Sequence, residues 1–253
     1  GGDATAWELK GSRAVAAQIL GLLPPALSLG IPLCWGVVNL DQLNQPQSED
    51  LLAMVLRTFL LGLAAAVLAV LASLILALAK RWIEAGWLKG LTFLAGMGYA
   101  IPGTVLALAL LFANTPWQFS PIILLLWGYS DRFLAVSKGG LDAALERINP
   151  SLDEAATGMG LNWLQVLQKV HFPLLRGPMT VGLLLVFVDT VKELPLTFAL
   201  RPFDFDTLSV RVYQYAGDER LAEALLPALM ILVLGLAASM ALVPSLDQRP
   251  RQN

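Results

Sequence analysis

The sequence predicts an all-α polytopic membrane protein, an assignment that rests on its composition, its apolar runs and the placement of its basic residues. Hydrophobic residues make up 57% of the 253 residues, charged residues make up only 14%, and the mean hydropathy is +0.66. Soluble domains carry about 25% charged residues. Apolar runs recur along the chain near the length of about 20 residues that a helix needs to cross a bilayer. A chain of this kind places its apolar surface against lipid.

Six membrane spans are predicted in order, at residues 14–40, 51–79, 91–113, 119–131, 178–200 and 222–243. We expect residues 1–13 to form an N-terminal segment or linker, residues 14–246 one six-span domain, and residues 247–253 a tail.

Prolines and charges predict irregularities within these spans. The first span contains Pro24, Pro25 and Pro32, which predict a kink because proline cannot donate a backbone hydrogen bond. The third span is interrupted at residues 99–105, where Pro102 marks either a break beside a transport path or, preferably, a helix start. The fourth span is expected to leave the membrane near Asp131.

Basic residues predict the orientation, because cytoplasmic loops of membrane proteins are rich in Lys and Arg. If the N-terminus is cytoplasmic, the outer segments hold only Arg201, Arg211 and Arg220. The inner segments then hold Lys10, Arg13, Lys80, Arg81, Lys89, Arg132, Lys138, Arg147, Lys169, Arg176, Arg249 and Arg251. Both termini and the polar loop at about residues 150–173 are therefore predicted to be cytoplasmic.

The pattern of this loop predicts two short helices joined by a bend. Ser151-x-x-Glu154 reads as a capping box that starts the first helix. Gly158 and Gly160 permit a turn, and Asn162 can cap a second helix. Pro173 is expected to stop that helix before the fifth span.

The spacing of this loop resembles the EAA loop of bacterial ABC importer permeases. Glu154-Ala155-Ala156, three residues, Gly160, nine residues and Val170-x-Phe172-Pro173 follow the family pattern of EAA, three residues, G, nine residues and I-x-L-P. The two departures, Val170 for Ile and Phe172 for Leu, are apolar for apolar. The resemblance implies an ABC importer permease fold with a cytoplasmic coupling helix. It gives Glu154, Ala155, Ala156, Gly160 and Pro173 the role of ATPase-coupling residues. The alternative is an incidental amphipathic loop.

Nucleotide chemistry is predicted to lie on another chain. The sequence contains no Gly-x-x-x-x-Gly-Lys-Ser/Thr phosphate-binding loop. We therefore expect no cofactor and no catalytic residue here, and expect a partner ATPase dimer to use ATP and Mg²⁺. A single cysteine, Cys34, and a single histidine, His171, disfavour a disulfide framework and a Cys/His metal site.

Ionisable residues interrupt the fifth span. Asp189, Lys192 and Glu193 are predicted to share one helix face in the outer half of the membrane. Such groups are costly in lipid and commonly line a path, so they are candidates for the translocation path or its outer gate. Alternatively, Lys192 neutralises an acid and fixes helix positions. Metal ligands are left unassigned.

The same region resembles the permeases of periplasmic ferric iron importers, through Asp189, Lys192-Glu193-Leu194-Pro195, Arg201-Pro202-Phe203 and Asp218-Glu219-Arg220. The resemblance implies a bacterial inner-membrane permease that receives ferric ion from a periplasmic binding protein. The contact would be the outer loop at residues 201–221, where Asp206 is expected to cap a short helix with Leu208, Val212 and Tyr215 on its apolar side. Permeases of this kind often carry two homologous six-span halves in one polypeptide, so the chain is expected to be a second half or a dimerising subunit.

Three other functions remain open at this point. The first is an ABC permease for another small solute, such as sulfate, molybdate or thiamine. The second is a secondary transporter driven by an ion gradient, which would need no ATPase. The third, an intramembrane enzyme, is disfavoured because no nucleophile–base pair is evident. A nucleic-acid partner is not expected.

Overall fold

The computed structural model describes residues 9–39, 51–83 and 85–246, with side chains described up to residue 241, and all regular structure in these ranges is helical. The helices are α1 (Ser12–Val38), α2 (Leu51–Trp82), α3 (Gly86–Ala95), α4 (Gly103–Ala113), α5 (Pro121–Glu146), α6 (Ser151–Gly158), α7 (Trp163–Val166), α8 (Phe172–Val191), α9 (Pro195–Leu200), α10 (Leu208–Gly217) and α11 (Leu221–Leu246). A 3₁₀ turn at Gly98–Ala100 precedes α4, and a π-turn at Leu167–His171 joins α7 to α8.

Four of the helical stretches in the described ranges are long and apolar enough to cross a membrane: Ser12–Val38, Leu51–Trp82, Trp163–Val191 and Leu221–Ala241. They correspond to the predicted first, second, fifth and sixth spans. The other two predicted spans are also helical, but one is broken into α3 and α4 and the other, α5, carries charges.

Small residues on α2 allow α5 and α8 to pack closely against it. Ala65, Ala69 and Ser73 are completely buried in this three-helix core. Ser73 Oγ donates to the carbonyl of Leu134 at 3.1 Å and shares a 2.5 Å hydrogen bond with Ser137 Oγ. The hydroxyls are thereby satisfied inside an apolar core, which is the condition for burying them cheaply.

Helix α5 passes the charged residues of the fourth span without interruption. It continues to Glu146, so Asp131 and Arg132 lie near its middle. The prediction that this span leaves the membrane near Asp131 stays a prediction, because a helix can continue beyond a membrane boundary. A charge can also stay within a bundle where another helix supplies a partner. For Arg132, that partner is Glu193.

The break predicted in the third span is confirmed. The 3₁₀ turn packs on α5 so closely that a Cβ at Gly98 would overlap the carbonyl of Asp131. Pro102 has an extended ψ of 134° and occupies the N-cap of α4, so the helix-start interpretation is confirmed, with the proline one position before the first helical residue.

Different segments of the chain meet at the two ends of the helix bundle. The C-terminal ends of α2 and α5 meet residues 149–171 at one end, which we call the loop end. Residues 201–220 and the beginning of α2 meet at the opposite end, where Arg57 binds the carbonyl of Asp204. Helix α1 lies beside this bundle, and Gly36, which adjoins Leu225 of α11, is its only buried residue.

Candidate functional site

The first candidate region is the bent segment at the loop end. Helix α6 starts as predicted at residue 151, but the predicted Ser151–Glu154 capping box is wrong. Instead, the side chain of Asn149 accepts from the backbone N–H of Ser151 at 3.0 Å, and Asp153 N–H bonds to the carbonyl of Pro150. Pro150 already has helical angles (φ −53°, ψ −30°), so the capping position shifts toward the N-terminus.

The predicted bend at the glycines is confirmed. Gly160 has a φ of +82°, in the left-handed region that favours glycine. Its N–H bonds to the carbonyl of Thr157, and the N–H of Leu161 bonds to the carbonyl of Ala156. This is the Schellman pattern that closes a helix C-terminus. Asn162 then caps α7 in a reciprocal pair with Gln165, as its position predicted.

Pro173 does not stop the second helix, contrary to the prediction. Residues Trp163–Val191 form one helical stretch of 29 residues, with the π-turn just before Pro173. Within that turn, Phe172 N–H bonds to the carbonyl of Leu167, five residues back. The widened turn precedes a residue that cannot donate, and proline is tolerated in the first turn of α8.

Asp153 ties α6 to two neighbouring helices. One carboxylate oxygen accepts from Arg81 Nε of α2 at 2.6 Å, and the other lies 2.8 Å from His171 Nε2 in the π-turn. Arg81 Nη1 also donates to the carbonyls of Leu145 and Ile148, at 3.0 Å each. The ring of Trp82 packs edge-on against His171. We call Arg81, Asp153 and His171 the loop anchor.

Most of this anchor could not be predicted from the sequence. His171, the single histidine of the chain, is completely buried beside Asp153. Arg81 was counted only as a loop charge. Asp153, one position before Glu154, was the only signal of the anchor in the loop sequence. Its partners lie on other elements, so the local sequence does not reveal them.

The anchored segment leaves an apolar surface exposed. Glu154 and Ala155 face outward, whereas Ala156 is 2% exposed and packs inward. Around them, four large apolar side chains are exposed, and together they define the loop patch: Leu152, Met159, Trp163 and Leu164. Met159 is 76% exposed, and Trp163 66%. Exposed large apolar side chains grouped on one segment and bordered by polar residues are a feature of interaction surfaces.

The second candidate region lies where α8 ends. Asp189 and Lys192 form a 2.8 Å ion pair on one face, as predicted. Glu193 does not join them, so the predicted three-residue cluster is divided. Helix α8 ends at Val191, and the following turn points Glu193 into the bundle, where its side chain is 4% exposed. The Lys192 side chain, by contrast, is 62% exposed.

Glu193 holds three elements together. Its Oε2 accepts from the backbone N–H groups of Leu196 at 3.1 Å and Thr197 at 3.4 Å, so it caps α9. Its Oε1 lies 3.7 Å from Arg132 Nε on α5. Arg132 Nη1 donates to the carbonyl of Ile101 at 2.7 Å, just before α4. The pair therefore connects α5, the start of α4, and α9.

Gly103 makes room for this pair. A Cβ on Gly103 would come within 2.9 Å of Glu193 Oε1 and 3.3 Å of Arg132 Nη1. The interruption at residues 99–105 and the charge in the fifth span, which looked like separate features in the sequence, are thus one structural unit. Nothing in the local pattern around Arg132 indicated its partner.

The third candidate region is the loop at residues 201–220, at the end of the bundle opposite the loop end. Thr207, and not Asp206 as predicted, caps α10 by accepting from Val210 N–H. Asp206 instead binds Arg201 at 2.5 Å and Arg211 at 2.8 Å, which requires it to point away from the helix axis. The predicted apolar face of α10 is confirmed for Leu208 and Tyr215, which are buried.

This ion-pair cluster supports an exposed aromatic residue. Phe203 is 94% exposed at the tip of the loop. The next residue, Asp204, has a φ of +59°, and its carbonyl accepts from Arg57 of α2 at 3.1 Å. The backbone on either side of Phe203 is therefore fixed while its side chain projects outward.

Among the residues that the structure describes, no three His, Cys, Asp or Glu side chains are grouped so that they could hold a metal ion. The three regions therefore combine exposed apolar side chains with buried, paired charges.

Comparison with known sequences points to a transport family. A family model described as "Binding-protein-dependent transport system inner membrane component" matches residues 69–252. The Fe(3+)-transport system permease protein FbpB 2 of Haemophilus influenzae is 26% identical over 219 residues, which cover 82% of this chain and 42% of that protein. The ferric transport system permease protein FbpB of Actinobacillus pleuropneumoniae is 30% identical over 89 residues, covering 35% of this chain and 13% of that protein. The chain spans less than half the length of these curated relatives.

Solved structures share the fold. A chain from the bacterial alginate ABC transporter in complex with an alginate pentasaccharide-bound periplasmic protein matches with a TM-score of 0.68 and 16% identity, covering 92% of both chains. A chain of the inward-facing MetNI methionine ABC transporter matches with a TM-score of 0.56 and 17% identity, covering 77% of this chain and 94% of that one. These matches confirm the predicted fold class.

Proposed function

Since the chain belongs to the binding-protein-dependent transport system inner membrane component family, we propose that it is the membrane permease subunit, or one permease half, of an ATP-driven ABC importer. The observation that carries this proposal is the bent segment at residues 149–171. The loop anchor holds this segment to α2 and to the π-turn, and its other side exposes the loop patch. A membrane protein has no need of such a surface in water unless a partner covers it.

The partner that we propose for the loop patch is an ABC ATPase dimer, which uses ATP and Mg²⁺. Glu154, Ala155 and Gly160 lie on or beside the exposed side of the bend, where they can contact that partner directly. Ala156 and Pro173 contribute differently: Ala156 packs α6 inward, and Pro173 follows the π-turn. A force applied to α6 would reach α2 and α8 through the loop anchor.

For the translocation path, we propose that Asp189 and Lys192 lie at its outer gate. Their ion pair is accessible, and Lys192 is largely exposed. Glu193 contributes in a different way, because it is fully engaged in holding Arg132 and the start of α9. It would fix the gate without touching the cargo.

We propose ferric ion as the cargo and a periplasmic binding protein as the donor. The support is the naming of the curated relatives as ferric transport permeases. Phe203 and the ion-pair cluster beneath it would form the contact for the binding protein. In this proposal the loop end and both termini lie in the cytoplasm, and the chain lies in the bacterial inner membrane, paired with a second permease half or copy.

A test of this function reconstitutes the full-length protein in proteoliposomes with its ATPase and its binding protein. We expect uptake of ferric ion that requires ATP. The ATP must be present on the side of the membrane that the loop patch faces. Uptake of sulfate, molybdate or thiamine without iron uptake would change the proposed cargo, but the proposal of an ATP-driven importer would stand. Uptake that persists without the ATPase would instead identify a transporter driven by an ion gradient.

The variant Glu154→Lys tests, in the same system, whether ATP hydrolysis is coupled to uptake through this segment while the permease and its ATPase remain assembled. It reverses one exposed charge beside the loop patch and leaves the loop anchor intact. We expect loss of uptake while the ATPase continues to hydrolyse ATP. Uptake at the level of the unmodified protein would argue against coupling through this segment.

A further inference from the structure

Buried hydroxyl groups join the loop at residues 201–220 to the end of α8. At the start of α10, the side chains of Thr207 and Ser209 are both buried. Their hydroxyl oxygens lie 3.0 Å apart, and Ser209 Oγ donates to the backbone carbonyl of Glu193 at 2.9 Å. The residues at the two ends of this last bond are 16 positions apart in the sequence. The bond therefore connects two of the regions described above, the loop and the turn after α8.

The donors give these hydrogen bonds a direction. The single proton of the Ser209 hydroxyl goes to the Glu193 carbonyl, so the contact between the two hydroxyls requires Thr207 to be its donor. Thr207 Oγ1 in turn accepts from the N–H of Val210, as the cap of α10. The start of α10 thus forms a chain of hydrogen bonds that ends on the backbone of Glu193.

A second chain of hydroxyls ends on the same carbonyl. Thr197 Oγ1 of α9 donates to the carbonyl of Glu193 at 2.8 Å, and the hydroxyl of Tyr129 of α5 is hydrogen-bonded to Thr197 Oγ1. Both side chains are completely or almost completely buried. A carbonyl oxygen has two lone pairs and can accept both bonds. The backbone at Glu193 is therefore held by α9 and α5 through one chain and by α10 through the other.

The segment between the exposed tip of the loop and this chain is fixed at several points. Phe203 lies at the tip, four residues before Thr207. Between them, Asp206 is held by its two ion pairs. The N–H of Leu208 donates to Thr58 Oγ1 of α2 at 3.0 Å. Packed segments shift as units instead of deforming continuously, so a push at the tip is expected to reach the start of α10.

We propose that Ser209 is a positioning residue that transmits docking of the binding protein at Phe203 to the outer gate at Lys192. This inference rests on the proposed function, which supplies both the docking loop and the gate. A shift of α10 away from α8 breaks the bond from Ser209 to Glu193 and loosens the turn, in which the exposed Lys192 directly precedes Glu193. Loss of the Ser209 hydroxyl alone does not leave the Glu193 carbonyl unsatisfied, because the bond from Thr197 remains.

Hydrogen–deuterium exchange tests this link at both of its ends, since coupling between two sites is a response of one site to an event at the other. The reconstituted importer, with its ATPase and second permease half and with ATP present, is measured before and after addition of the binding protein loaded with ferric ion. Docking should slow exchange at residues 201–206, which the binding protein covers. It should speed exchange at Leu196 and Thr197, whose N–H groups the Glu193 carboxylate holds. The expected increase is about five-fold, the factor that loss of one hydrogen bond produces.

Three variants separate transmission from docking. Ser209→Ala should keep the slowing at residues 201–206 but lose the response at Leu196 and Thr197. Ser209→Thr retains a hydroxyl and should restore that response. Ser239→Ala is the matched control, because its hydroxyl binds the carbonyl of Gly235 within α11 at 2.8 Å. It should respond as the unmodified protein does.

Four results would overturn the inference, and they distinguish it from the proposed function. An undiminished response at Leu196 and Thr197 in Ser209→Ala would show that docking reaches the gate by another route. Loss of the slowing at residues 201–206 in that variant would show that the hydroxyl only maintains the loop. Slowing at residues 201–206 of the unmodified protein without a response at Leu196 and Thr197 would remove the link and leave the docking contact standing. If docking does not slow residues 201–206 of the unmodified protein, the proposed contact is wrong and this inference is wrong with it.

Discussion

The carboxylate of Glu193 lies inside an apolar bundle and relies on Arg132 for its opposite charge. We predict that Glu193→Ala lowers the free energy of unfolding by about 3 kcal/mol, because it leaves a guanidinium without its partner and the start of α9 uncapped. The double variant Arg132→Met, Glu193→Gln should cost less, since it buries no lone charge. Denaturant titration of the purified protein in detergent measures both. A double variant as unstable as Glu193→Ala would contradict the pairing.

Gly160 provides a second single-residue test, because its φ of +82° is unfavourable for any residue with a Cβ. We predict that Gly160→Ala destabilises the bend by about 1 kcal/mol and reduces uptake in proteoliposomes. Gly158→Ala is the matched control, since Gly158 is helical and a Cβ there meets nothing within 4 Å. It should be neutral or slightly stabilising. Equal effects of the two variants would show that the bend conformation does not matter.

These residues also show where sequence reasoning succeeded. Gly160 and Asn162 were predicted from local chemistry alone, because a left-handed turn and an N-cap are set by the residues that form them. The partner of Arg132 was not predicted, because it lies on a different helix and a charge in an apolar run looks the same with or without a partner. Asn149 and Thr207 were missed because capping depends on where a helix begins to within one residue.

Helix α6 is held by the loop anchor more than by apolar contacts, since Ala156 is its only buried residue. We predict that Asp153→Ala increases amide hydrogen exchange across Ser151–Gly158 about ten-fold or more, from the loss of the charged hydrogen bond to Arg81 and of the close contact with His171. Hydrogen–deuterium exchange with mass spectrometry measures this.

Asp142→Ala is the control for that experiment. It removes an acid of similar exposure whose 2.6 Å pair with Lys138 lies within α5, and pairs of this kind contribute little to stability. Exchange in α6 should be unchanged in this variant. If Asp153→Ala also leaves exchange in α6 unchanged, the anchor does not hold the helix.

The helices that were predicted well are those for which a long apolar stretch is sufficient evidence, such as α2 and α11. The broken third span was also predicted, because Pro102 and Gly103 mark it directly. The continuous stretch Trp163–Val191 was not, because a proline ordinarily ends a helix and the π-turn that precedes Pro173 has no local signature.

For the molecule as a whole, the two exposed ends should be accessible from opposite sides of the membrane. In a Cys34→Ser background, we predict that Phe203→Cys reacts with a membrane-impermeant maleimide in intact cells. Met159→Cys should react only in inverted vesicles. Both residues are well exposed in the structure, so accessibility within the fold does not limit the reaction. Labelling of both from the same side would contradict the proposed orientation.

The long apolar helices of the whole molecule were predictable because hydropathy acts over many residues at once. The orientation that the basic residues indicate stays a prediction. Helix α1 shows the limit of that approach: it is long and apolar, yet only Gly36 is buried. What covers such a helix depends on lipid or on another permease chain, and neither leaves a periodic signal in its own sequence.

The π-turn at Leu167–His171 also sets the direction in which the bent segment leaves α8. A π-turn holds one residue more than the α-helical turn it replaces. If the same residues closed into a regular α-helix, everything before them would rotate by about 100° about the α8 axis. Trp163 would then point in a different direction, and Asp153 would move away from Arg81. Homologous chains that lack one residue here are therefore expected to have an uninterrupted α-helix and to present this surface in the same direction.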